Sequence, residues 1–194
     1  MRFFITIDAA TAASAVLRGS KLRKLIVTGA NGAGKSYTAA LLHDARPEIP
    51  LVSFDAIKLT NDWKQRPKSE IDAKLAQVIA RDAWIIEGGP SLLNQALPSA
   101  DAVIWLDPSE RVRGWRLVVR PWRNFGKTRP ELPEGNVDWP LQQYQFALRS
   151  LRNGGDFRNS IFKALASVSE KRIWHCTNQS HVEGAIDEWR CAGD

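Results

Sequence analysis

The 194-residue chain suits one domain, and its 44% hydrophobic and 25% charged residues are ordinary globular usage, enough to bury a core without metal or disulfide staples. No apolar run approaches the ~18–20 residues of a membrane-spanning helix, and the two cysteines, Cys176 and Cys191, make no disulfide framework, so a reducing cytoplasm is expected. The net charge of +6 is local: residues 111–130 hold seven of the 27 Lys and Arg and no acid, which suggests a focused anionic ligand more than a broad nucleic-acid face.

Residues 1–20 contain Arg2 and an apolar patch, but Asp8 ends that patch short of a signal-peptide core. They are expected to be a short strand and helix or a hairpin, added before a domain at 21–194. Residues 24–28 (KLIVT) predict a strand ended by glycine, and 36–45 a helix stopped before Pro47. A short strand follows at 51–54. Residues 69–82 have apolar residues at helical spacing, with Ser69 as the expected N-cap. WIIE at 84–87 and AVIWL at 102–106 predict buried strands, with a short helix at 91–97 between them. Residues 109–120 predict a helix with Val112, Trp115 and Val119 on its apolar face. Helices are expected at 139–152, 157–168 and 181–189, and a last strand at 172–176. Uninterrupted apolar strands alternating with helices indicate an α/β fold, a parallel sheet covered on both faces. Residues 121–140 form the one long irregular stretch, rich in Gly, Pro and Arg, and such loops are usually functional.

Gly29-Ala30-Asn31-Gly32-Ala33-Gly34-Lys35-Ser36 matches G-x-x-x-x-G-K-[ST] between a strand and a helix, as that motif demands. Glycines let successive backbone N–H groups turn inward around an anion. The helix start faces the phosphates, Lys35 brings charge to the β and γ phosphates, and the Ser36 hydroxyl serves Mg²⁺. Candidate nucleotide contacts run from Gly29 to Ser36 and on to Tyr37.

Three carboxylates sit at strand ends, where ligands of parallel sheets gather. Glu87 is the candidate that holds Mg²⁺ through its water shell, alongside Ser36. Asp107 precedes Pro108 and is equally well read as a helix cap, so it receives no catalytic role. Asp55 is either a proton acceptor for an attacking hydroxyl or the cap of a following helix. Arg113, Arg116, Arg120 and Arg123 would share one face of a continuous helix, although Pro121 makes continuity beyond Arg120 doubtful. Arginines over the phosphates would neutralise the charge of phosphoryl transfer. The rival readings are a solvated basic helix, or a nucleic-acid surface with Trp115 and Trp122 stacking on bases.

The chain resembles the adenylate-kinase-like P-loop kinases, especially the bacterial topology-modulation-protein group. The carrying segments are GANGAGKS, WIIEGGP, ADAVIWLDPSERVRGWRLVVR, GKTRPELPEGN and DWPLQQYQFALR, across roughly residues 24–150. The resemblance implies a P-loop NTPase three-layer sandwich, with a five-stranded parallel sheet ordered 2-3-1-4-5 and an Arg-rich lid at about 113–136. It places Lys35 and Ser36 on phosphate and Mg²⁺, and Arg116 and Arg120 on the donor and transferred phosphates, with Arg123 or Arg129 helping. The donor base would rest near 177–180. The third strand departs from the pattern, ending in Glu87-Gly88-Gly89 where such kinases often show Asp-Gly.

The expected catalytic set is therefore Lys35, Asp55, Arg116, Arg120, Arg123 and Arg129. The expected function is transfer of the γ-phosphate of ATP, with GTP as an alternative, to a small hydroxyl compound or nucleoside monophosphate. The other reading is a regulatory NTPase acting through a protein or nucleic-acid partner.

Overall fold

Apolar strands need cover on both faces, and the computed structural model shows where that cover comes from. It describes residues 22–123, 125–126, 128, 132–137, 140–168 and 170–192, with the side chains of residues 123 and 140–142 left aside. The expected N-terminal extension at 1–20 and Arg129 lie outside the described residues, as does the side chain of Arg123.

The elements in chain order are β1 (Lys24–Gly29), α1 (Lys35–Ala45), β2 (Leu51–Ser53), α2 (Phe54–Lys58), α3 (Lys68–Ile79), β3 (Trp84–Gly88) and α4 (Pro90–Ala96). They continue with β4 (Ala102–Leu106), α5 (Glu110–Arg123), α6 (Pro140–Arg152), α7 (Gly154–Ala166), β5 (Arg172–Cys176) and α8 (Gln179–Cys191). The five strands are all parallel and ordered β2-β3-β1-β4-β5, as expected.

Alternation along the strands makes two cores. Ile26, Ile86, Val103 and Trp105 face α2, α3, α4 and α7 through Phe54, Leu75, Leu92 and Ile161. Leu25, Val27, Ile85 and Ile104 face α1 and α8 through Leu42, Ile186 and Trp189. The Trp189 indole donates to the Leu42 carbonyl at 3.1 Å, so its one polar atom is satisfied inside the core. Burial pushes the Cys176 thiol up to about 11, which leaves it unreactive at neutral pH.

Several local expectations need correction. Ser69 lies within α3, whose N-cap is Pro67, two residues earlier; a ψ of 143° keeps Pro67 just outside the helix. α2 was not expected as a helix beginning at Phe54, and Asp55 does not cap it. Ser53 is the N-cap, without a side-chain bond, and Asp55 sits in the first turn. α5 runs through Pro121 to Arg123, so the arginines do share one continuous helix. Residues 179–180 belong to α8, whose N-cap Asn178 accepts from the His181 amide at 3.0 Å.

The largest correction concerns which way α5 faces. Val112 and Trp115, which periodicity puts on the apolar face with Val119, are exposed, and Val119 is only half-buried. The buried side instead carries Arg113 and Leu117. The surface that α5 meets is lined with backbone carbonyls of the P-loop, which bind guanidinium groups and not valines.

Candidate functional site

The parallel sheet brings every strand's carboxyl end to one edge, and the P-loop leaves β1 there. Gly32 and Gly34 hold φ of 80° and 104°, a left-handed region that glycine adopts without strain. A side chain at Gly32 would also meet the Arg113 carbonyl and the Leu117 side chain, each at 2.9 Å, so the loop and α5 approach closely only because this residue is glycine.

The loop's carbonyls are bonded by cations. Lys35 Nζ donates to Ala30 O at 3.3 Å, Arg113 Nε to Asn31 O at 3.1 Å, and an Arg116 guanidinium nitrogen to Ala33 O at 2.7 Å. The α1 N-cap is Gly34, with no side-chain cap bond. The first N–H groups of a helix have no partner within it, so Lys35, Ser36 and Tyr37 present donors and a positive dipole end to the mouth of the loop. That geometry suits an anion. Tyr37 is exposed beside it.

Lys35 retains some solvent exposure, yet desolvation is the largest influence on its ammonium and lowers its pKa from the usual lysine value. Glu87 and then Asp55 oppose that by favouring the charged form, while Arg120 and Lys58 add to the lowering. These five groups come from α1, β3, α2 and α5, so the fold gathers two further predicted catalytic residues, Asp55 and Arg120, and the predicted metal carboxylate around the Lys35 ammonium. Glu87 is buried between β2 and β1 in the sheet and accepts from the Ser53 hydroxyl at 2.7 Å. Asp55 pairs with Lys58 at 2.7 Å.

Arg113 was read only as one of a basic run. It is a buried brace, bonded to Glu110 at 2.5 Å and to the Ser150 carbonyl at 3.4 Å as well as to the P-loop. Arg120 donates to Gln143 on α6 at 3.2 Å and lies over the Phe146 ring. Asp107 lies three residues before α5, which begins at Glu110; it pairs with Arg158 at 2.6 Å and with His175 at 3.0 Å, and His175 stacks on Trp105.

Sequence reasoning also missed Asn136. It is fully buried in the α5–α6 connection and fastened to the loop after α2. Its amide nitrogen donates to Thr60 O at 2.7 Å and to Pro133 O at 2.9 Å, and its oxygen accepts from the Trp63 amide at 2.6 Å. The Trp63 indole donates to Val137 O at 3.1 Å. The far end of the α5–α6 connection is thus joined to the Asp55 side of the site.

Ser36 and Glu87 offer oxygen donors only, which fits Mg²⁺, an ion that keeps most of its waters and shares phosphate oxygens. Among the described residues no group of three or more His, Cys, Asp and Glu could hold a metal.

No protein-family model matches the chain, and no curated protein matches it. Solved structures do. A shikimate kinase from Acinetobacter baumannii in complex with shikimate shares 15% identity at a TM-score of 0.48, over 91% of this chain and 93% of that one. A gluconokinase from Sinorhizobium meliloti shares 16% at 0.46, over 89% and 92%. A sugar kinase from Janibacter shares 14% at 0.49, over 89% and 96%. At these values the likeness is one of sheet and helix arrangement, and neither residue roles nor substrates transfer with it.

Proposed function

We propose that this protein is an ATP-dependent phosphotransferase that moves the γ-phosphate to a small-molecule acceptor. The carrying observation is the convergence of Lys35, Glu87, Asp55, Arg120 and Lys58 at the mouth of a P-loop covered by an arginine helix. Lys35 and the α1 amides would hold the β and γ phosphates. Arg116 and Arg120 would neutralise charge as the phosphoryl group moves. Asp55 would face the acceptor from the β2 side, with Lys58 beside it for an anionic substituent. Mg²⁺, held by Ser36 and the water shell of Glu87, would neutralise phosphate charge when bound. The likeness of GANGAGKS and GKTRPELPEGN to the topology-modulation group supports the same reading.

The inward aim of Arg113 and Arg116 counts against a basic nucleic-acid surface and against a regulator that has no need to cover phosphates. The test is a screen of nucleoside monophosphates and small hydroxyl compounds for acceptor-dependent ADP formation. An acceptor that raises ADP output with Mg²⁺-ATP supports the reading, and a blank screen with tight ATP binding favours the regulator.

Glu87→Gln keeps the Ser53 contact but loses the charge. It should raise the Mg²⁺ concentration needed for half-maximal turnover by ~10–100-fold, the usual loss for an outer-sphere carboxylate. Superimposable Mg²⁺ titrations for parent and variant would remove the metal role.

The segment from about 113 to 136 is proposed as the lid. Closure over the phosphates excludes water and protects ATP from hydrolysis. Amide exchange at 113–136 should slow when a bisubstrate analogue binds, and because Asn136 joins the two, exchange at 59–66 should slow with it. An unchanged exchange pattern would mean a fixed surface.

A further inference from the structure

Most amphipathic helices on a sheet turn their apolar stripe inward, and α5 does the reverse. Arg113 and Arg116 bond the P-loop, while Trp115 is 69% and Trp122 64% exposed, with Val112 and Val118 exposed beside them. Residues 115, 118 and 122 follow helical spacing and form one stripe. α6 continues it. The Trp122 indole donates to the Tyr144 hydroxyl, and Tyr144 donates to Val118 O at 3.3 Å. Leu151 lies 3.8 Å from where a side chain on Gly114 would begin, and Leu148, 61% exposed, sits between Tyr144 and Leu151. Two packed helices thus present one contiguous apolar face.

We infer that this α5–α6 face is a dimer interface that packs against a second copy of this chain as a four-helix bundle about a two-fold axis. Three observations choose that occupant. The first is area: with about 150–250 Å² per whole aromatic side chain, the exposed parts of this face amount to roughly 500–600 Å² per protomer. That is the apolar centre of a standard interface of ~800 Å² per partner. The second is dryness. The Trp122 N–H is taken by the Tyr144 hydroxyl, whose own proton goes to the Val118 carbonyl, so these side chains ask a partner for no hydrogen bonds. A tryptophan at a bilayer surface keeps its N–H for the headgroup region instead. The third is charge. The stripe positions Trp115, Val118, Trp122, Tyr144, Leu148 and Leu151 carry no charge, and exposed Arg111 and Arg152 sit at one end of the stripes. An antiparallel two-fold brings that end of one protomer onto the Trp122 end of its partner, so the guanidinium groups meet aromatic rings and not each other.

Sedimentation velocity of the full chain at micromolar concentration should give twice the 21.7 kDa chain mass. Trp115→Glu and Leu148→Glu, on different helices, should each raise the dimer dissociation constant by at least about 30-fold, the size of a hot-spot loss. Both side chains are exposed, so circular dichroism should show folded monomers, and either variant suffices if the other fails to fold. ATP binding by calorimetry should persist in both, since neither residue touches the P-loop. A parent chain that sediments as a monomer, or a dimer that both variants retain, overturns the proposal. So does a monomer that co-sediments with phosphatidylserine vesicles and loses this in Trp115→Glu, which would give the face to a membrane surface.

Discussion

Lys35→Ala should leave the chain folded and lower turnover of Mg²⁺-ATP with any productive acceptor by at least about 10²–10³-fold, the loss seen when one preorganised charge-stabilising donor is removed. The argument starts from desolvation. Burial lowers the pKa of this lysine, and the chain accepts that cost by placing Glu87 and Asp55 where they favour the ammonium. A bound polyphosphate adds negative charge at the same place, so nucleotide binding and a charged Lys35 support one another. The Lys35 ammonium donates to the Ala30 carbonyl at 3.3 Å, from within the loop it would share with the phosphates. Lys58 stays paired with Asp55 and the Ser53 hydroxyl stays bonded to Glu87 when Lys35 is removed, so folding should survive. Lys35→Met, which keeps the stem, separates loss of charge from loss of packing. Calorimetry with ATP and GTP on the parent chain identifies the base. Turnover at the parent rate in both variants would mean that the loop does not act on a transferred phosphate.

What the sequence made legible was local. The P-loop needs glycines at fixed spacing, and the structure puts Gly32 and Gly34 at the positive φ that the motif requires. Strand ends were legible because apolar runs stop abruptly at Glu87 and Asp107. The sheet order came from resemblance, and the pairing of β1 with both β3 and β4 bears it out. Other features depended on partners far along the chain. α2 has five residues, too few for a periodic signal, so Asp55 was placed after a strand when it stands in a helix's first turn. In α5 the periodicity identified a stripe but not its direction, because burial was decided by the P-loop carbonyls some 80 residues earlier. Asn136 gave no pattern at all. It is one polar residue in an irregular segment, and its partners Thr60 and Trp63 lie more than 70 residues away.

Asp55→Asn should bind ATP as the parent does and lose phosphorylation of a hydroxyl acceptor by ~10²-fold or more. The two readings of Asp55 began as base and cap, and the cap is gone: Ser53 holds that position and makes no side-chain bond there. What remains is a carboxylate in the first turn of α2, where the helix dipole favours negative charge. It pairs with Lys58 at 2.7 Å and favours the charged form of Lys35. The pair with Lys58 is half-exposed and contributes under about 1 kcal/mol, so its loss should not unfold the chain. A carboxylate held near the phosphate-side lysine can take the proton that a hydroxyl sheds as it attacks. An asparagine has the same shape and can still accept a hydrogen bond, but it cannot take that proton. A nucleoside monophosphate presents an oxygen that is already anionic, and its transfer needs cations and no base. The two acceptor classes therefore predict opposite results for one variant. With a hydroxyl acceptor, kcat falls steeply while ATP affinity holds. With a nucleoside monophosphate, Asp55→Asn barely changes kcat. Efficient phosphorylation of AMP by both parent and variant would end the hydroxyl reading and leave the nucleotide-kinase reading in its place.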